Sequence, residues 1–186
     1  MIVWDEGVQD YNQARTKACA RLGASGFGDM PGNVEVEAAL KAWLKLFATN
    51  DDKARLAWLR TTALDAMRFF GRFDPRLVGS VLKGTAGEYS AIQLHLFSDD
   101  VEAVAIEMLN HRIRYQAITR RQSRRQPQGI PGFALEWDGV PVEVLVFPVD
   151  GLRVSPPSPI DGKPMQRASR EKVARLLQDG EARKTG

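Results

Sequence analysis

The 186 residues, 44% hydrophobic and 26% charged, have the make-up of one globular domain of ordinary size with a sizeable core. Twenty-six basic and 23 acidic residues leave a net charge of +3, too mild by itself to mark a nucleic-acid binder. The single Cys19 excludes an internal disulfide and a multi-cysteine zinc site, and no apolar run nears the ~20 residues of a membrane helix.

The apolar start Met1-Ile2-Val3-Trp4 meets Asp5-Glu6 too soon for a signal segment. A reduced, cytoplasmic setting with no membrane partner is the expectation.

In chain order, the first third is helical. Asp10 followed by Gln13 has the pattern of a capping box, with Tyr11, Ala14, Ala18 and Leu22 on one face and Gly23 as the stop. After a loop from Gly26 to Gly32, a second helix follows Asn33 and carries Val36, Leu40, Trp43, Leu44 and Phe47 as an apolar stripe. Asn50 or Asp51 caps a third, whose Leu56, Leu59, Ala63, Met67 and Phe70 point one way before Gly71.

From Phe73 the character changes. Leu77-Val78 and Val81-Leu82 flank Gly79-Ser80, and a turn-rich stretch runs from Gly84 to Ser90. Ala91 to Phe97 alternates as a strand, with Ile92, Leu94 and Leu96 opposite Gln93, His95 and Phe97. Asp99 with Glu102 starts a helix bearing Val101, Val104, Ala105, Met108 and Leu109, and Ile113, Tyr115 and Ala117 alternate as a second strand. Phe133 to Trp137 and Val140 to Phe147 meet at Asp138-Gly139, a two-residue hairpin signal. Pro156, Pro157 and Pro159 read as an extended linker, and Ser169 caps a terminal helix with Val173, Leu176 and Leu177. The chain thus divides into a helical region at 1–72, an α/β core at 73–150 and a proline-rich tail at 151–186.

The run Gly79-Ser80-Val81-Leu82-Lys83-Gly84-Thr85-Ala86, followed by Ser90-Ala91-Ile92-Gln93-Leu94-His95-Leu96, resembles the signature of the polymerase-beta-type nucleotidyltransferase superfamily. That resemblance implies a Gly-Ser pair at a helix–strand junction, then a strand with two acids one residue apart, and a third acid from a later strand. The separation of Ser80 from Gln93 fits, and Glu143 stands where the third acid belongs. The segments Pro75 to Gly79, Leu94 to Phe97 and Ser158 to Met165 resemble those of uncharacterised proteobacterial nucleotidyltransferase-like proteins. The implied fold is α/β (α+β), a nucleotidyltransferase-like mixed β-sheet with helices behind an N-terminal helical region, in a bacterial protein.

In such a pattern the glycine lets backbone approach phosphate while the serine hydroxyl donates to it. Acids at alternate strand positions share a face and hold two magnesium ions, which stabilise an in-line displacement. Here Gln93 and His95 occupy the acidic positions. A neutral amide and an imidazole nitrogen are poor partners for a hard ion. Losing several kcal/mol of metal stabilisation slows transfer by roughly a thousandfold or more, and Asp99 and Asp100 begin the next helix rather than the strand. The expectation is a catalytically inactive relative with no metal and no cofactor. It binds a nucleotide or another phosphate-bearing ligand through Gly79, Ser80, Lys83, Gln93, His95 and Glu143.

Plainer readings stand beside this one. Gly79-Ser80 is also an ordinary tight connection, His95 a satisfied histidine on a sheet face, and Glu143 half of a hydrogen-bonded pair. Two other functions remain open. Arg112, Arg114, Arg120, Arg121, Arg124 and Arg125 have no acid between them and suit an RNA-binding accessory module, or a solvated loop with Tyr115 as its single stacking group. In a divergent metal-dependent nucleotidyltransferase, Glu143 and His95 would recruit a different metal.

Overall fold

The computed structural model describes residues 16–18, 20–21, 31–120 and 129–182. The helix expected from Asp10 to Gly23 lies outside them except at 16–18 and 20–21, which are helical. Cys19 also falls outside, as do Arg121, Arg124 and Arg125.

Two helices come first, α1 (Asn33–Phe47) and α2 (Asn50–Phe69). They lead through a 3₁₀ turn at Gly71–Phe73 into β1 (Arg76–Val78) and the one-turn α3 (Gly79–Lys83). There follow β2 (Ile92–Phe97), α4 (Val101–Asn110), β3 (Tyr115–Arg120), β4 (Ile130–Trp137) and β5 (Val140–Phe147). A second 3₁₀ turn, Val149–Leu152, and α5 (Arg170–Ala182) complete the described chain. The five strands form one mixed sheet in the order β1-β2-β5-β4-β3. Only β2 and β5 run parallel. The α+β class and the mixed sheet are those expected from the sequence.

Local chemistry explains most boundaries. Asp138 (φ 50°) and Gly139 (φ 75°) both take left-handed backbone, the geometry that matches a tight hairpin to the twist of β4 and β5. The cap of α2 is Thr49 rather than Asn50 or Asp51. Its hydroxyl accepts from the Asp52 amide at 3.1 Å, and the Asp52 carboxylate accepts from the Thr49 amide at 2.8 Å, so two amides lacking helical partners are satisfied reciprocally. At α4 the cap is Asp100, which accepts from the Glu102 amide at 2.9 Å. Asp99, expected in that role, instead accepts from the Val149 amide at 3.0 Å. β1 was not foreseen as a strand. It has three residues, and its pairing with β2 on one side and with Ala168 on the other defines it.

Alternation splits the sheet into two different faces. One is aliphatic: Leu77, Ile92, Leu94, Leu96, Val142, Val144, Val146, Phe133 and Leu135 lie in the main core. Leu59, Ala63 and Met67 of α2 and Phe70 at its C-terminal cap cover it, with Val104 and Met108 of α4 and Val173 of α5. Each of these side chains larger than alanine contributes about 1.5–3 kcal/mol by leaving water. The other face carries Arg76 and Val78 of β1, then Gln93, His95 and Phe97 of β2, and Glu143, Leu145 and Phe147 of β5.

The segment expected as an extended linker is folded back on itself. Ser158 N–H donates to Lys163 O at 2.7 Å and Met165 N–H to Pro156 O at 2.8 Å, while Asn33 Nδ2 of α1 donates to Pro159 O at 3.0 Å. Ala168 then exchanges two 2.9 Å backbone bonds with Leu77, so the tail seals the open edge of β1 before α5 begins. Ser169 caps α5 as foreseen, accepting from the Lys172 amide at 3.4 Å.

Candidate functional site

The Gly-Ser turn is held in place from α2. Arg60 donates through Nε to Val81 O (3.2 Å) and through Nη2 to Leu82 O (3.3 Å), satisfying carbonyls at the end of α3 that have no helical partner. Gly79 takes φ +73°, a conformation that any side chain resists. A Cβ there would meet Gln93 Oε1 at 2.1 Å. The glycine therefore makes room for the Gln93 amide, which lies directly against it.

Register brings part of the predicted constellation together. Val78, just before Gly79, pairs with Gln93 on one side, and Glu143 pairs with Gln93 on the other. All three share the second face of the sheet, and Ser80, two residues after Val78 in α3, is half-buried. His95 is on the same face, two residues along and level with Leu145. Lys83 is not brought in. Its ammonium is 2.9 Å from Glu37 of α1, so it ties α3 to the helical region.

His95, expected from the sequence among the ligand-binding residues, is covered. It is 2% exposed, with its ring 4.5 Å from that of Phe147. Nδ1 accepts from Nε of Arg167 at 3.1 Å, which leaves the proton of the neutral imidazole on Nε2. Burial pulls its pKa from 6.5 down to about 3, and the neighbouring Arg167 charge pulls the same way.

Arg167 is the residue that the sequence did not disclose. Its guanidinium lies 4.9 Å from the Phe97 ring and 5.0 Å from the Phe147 ring, and Nη1 donates to Gly151 O at 2.7 Å. Nη2 is buried and finds no hydrogen-bond partner among the described residues. Together with Leu145 and Ile130, these rings form a small second core that closes one end of the polar face. Nothing in the local pattern Met165-Gln166-Arg167 marks this arginine, because its hydrogen-bond partners are 13 to 72 residues away.

Glu143 is also engaged. Arg120 at the end of β3 donates from Nε to Oε1 at 3.0 Å and from Nη2 to Oε2 at 2.5 Å. Pairing with Glu143 raises the arginine's pKa further. The two side chains meet across β4, where the intervening positions on this face are Gly132 and Ala134. Of the arginines in the basic stretch, Arg120 is thus an internal partner of the site.

The residues do not fit a two-magnesium centre. Gln93 has no charge to offer, His95 is covered with Nδ1 occupied, and both oxygens of Glu143 are held by a guanidinium. Among the described residues, no group of three or more His, Cys, Asp or Glu side chains could hold a metal ion. Nor is any helix there long and apolar enough to cross a membrane.

No protein-family model matches the chain, and no curated protein does. Among solved structures, the chain is similar to that of a cytoplasmic RNA terminal U-transferase, at 18% sequence identity and a TM-score of 0.33. The match covers 59% of this chain and 33% of that one, so the chain spans about a third of that protein's length.

Proposed function

We propose that this chain is a degenerate nucleotidyltransferase-like protein that does not transfer nucleotides, and that it binds a nucleotide or another phosphate-bearing ligand on the polar face of its sheet. One observation carries the reading: Gln93 and Glu143 stand side by side in register, next to the Gly79-Ser80 turn. That is the placement the resemblance assigns to a carboxylate cluster, with its first acid replaced by an amide and its last neutralised by Arg120. Ser80 and Gln93 supply neutral donors, and Arg120 supplies the charge. Catalysis of the family kind fails for lack of ligands, because in-line displacement needs charge stabilisation at the attacking and leaving oxygens.

A thermal-shift series with nucleoside triphosphates should raise the melting temperature, since a ligand selective for the folded state stabilises it. The same triphosphates, labelled and supplied with magnesium or manganese, should give no transfer of a nucleoside monophosphate to protein, RNA or a small molecule. Metal-dependent transfer that disappears in Glu143→Ala would sink the proposal.

A further inference from the structure

The ion pair across β4 has a consequence for what the ligand brings with it. Three carboxylates on one sheet face repel a polyphosphate until divalent cations neutralise them. Here the corresponding set is Gln93, which is neutral, and Glu143, whose charge is cancelled by Arg120. His95, on the same face, is buried against Phe147 and held by Arg167, so it adds no negative charge. These three positions thus carry no net negative charge without a metal.

We propose that Arg120, fixed on Glu143, takes the place of the divalent cation, so that this face binds the phosphate of its ligand without metal. The inference rests on the phosphate-binding reading above. The geometry of the pair supports it. Glu143 is the buried partner, its side chain 13% exposed, whereas Arg120 is 57% exposed. A guanidinium has five N–H donors. Two are spent on Glu143, and the rest have no partner among the described residues. The carboxylate therefore orients the fork from below while its outer edge faces solvent, the disposition that suits a bidentate grip on a phosphate oxygen pair. On β4, Arg120 is level with Ile130 and Glu143 with Ala134, and Gly132 is the position between them on this face. A Cβ at Gly132 would meet the Val144 carbonyl oxygen at 2.2 Å and the Leu145 side chain at 2.8 Å, so β4 and β5 pack closely here only with glycine at that position.

The two arrangements predict opposite signs for one substitution. If a metal bridged Glu143 to the ligand, Glu143→Gln would weaken binding. If Arg120 is the cation, Glu143→Gln removes a competing negative charge, keeps a hydrogen-bond acceptor for the fork, and leaves binding as tight or tighter.

Pyrophosphate and ATP serve as probes in calorimetric titrations of the whole chain, once in EDTA and once in magnesium. The expected affinity in EDTA equals or exceeds that in magnesium. Arg120→Gln should weaken binding about tenfold or more, the scale of one lost charge-assisted hydrogen bond, and Arg120→Lys should fall between. Circular dichroism and the melting temperature establish that each variant is folded; Arg120→Lys carries the test if Arg120→Gln is not. Binding that needs magnesium and is weakened by Glu143→Gln overturns the metal-free mode while leaving the phosphate-binding reading intact. Unchanged affinity in the folded arginine variants overturns it as well. Failure of both probes to bind in either buffer removes the phosphate-binding reading and the metal-free mode with it.

Discussion

At the scale of single residues, His95 and Gly79 show how packing reassigns side chains that the sequence marks as functional. His95 belongs to the strand and face that alternation predicts, yet the Phe147 ring and the Arg167 guanidinium cover it. An unfolded histidine takes up a proton near pH 6.5, whereas the buried one does so only near 3. Across that window the unfolded chain binds the extra proton, so stability rises with pH through it and is lost as pH falls below about 6.5. From pH 6.5, where the unfolded histidine is half protonated, down to 5 the loss attributable to His95 is about 1.6 kcal/mol. Denaturant titrations at both pH values should show that difference in the wild type and a much smaller one in His95→Gln. Equal stability differences between the two pH values in the two proteins would mean that His95 is not held neutral by burial. Gly79 was expected to admit phosphate. Its positive φ and the Gln93 oxygen 2.1 Å from where a Cβ would be make Gly79→Val a folding variant, which says nothing about ligand.

At the scale of elements, the helix starts show where local sequence is ambiguous. Thr49, Asn50, Asp51 and Asp52 are all side chains able to cap. The start falls at Thr49 because Asp52 then stands three residues on and returns a bond to the Thr49 amide. Thr49→Ala should lower unfolding free energy by about 1 kcal/mol, seen as a shift of the urea midpoint at unchanged slope. A cap at Asn50 would predict no such loss. Asp99 and Asp100 pose the same choice, and a distant group makes it: the Val149 amide engages Asp99 and leaves Asp100 to cap α4. The hairpin at Asp138-Gly139 needed no such help, since both residues tolerate the left-handed backbone that the turn requires.

At the scale of the whole molecule, the tail is where the chain departs most from its sequence reading. Prolines at 156, 157 and 159 suggested an extended spacer, but the segment pairs with itself, bonds to Asn33 and delivers Arg167 to β2. Ala168 and Val173 are fully buried in the same core as β2 and β5. Val173→Asp would put an unpaired carboxylate in that core, at a cost of several kcal/mol. The expected result is a chain that melts far below the wild type or fails to fold. A variant with unaltered melting would show α5 to be dispensable to the core.

Alternation, capping residues and turn chemistry are properties of neighbours in the chain, and the sequence by itself determined what they control. It specified the α+β class, the strands β2 and β5 with Gln93 and His95 on one face, the hairpin turn, and the stripe of α2 that meets the aliphatic face. Tertiary structure alone decided which charges meet. Arg120 reaches Glu143 from 23 residues away, and Arg167 reaches His95 from 72. Neither distance leaves a periodic trace in sequence. The first pair bridges two strands with β4 between them, and two aromatic rings flank Arg167 in the second. The covering of β1 by Ala168 has the same origin, since a three-residue strand is stabilised by the partners on its two edges rather than by its own side-chain pattern.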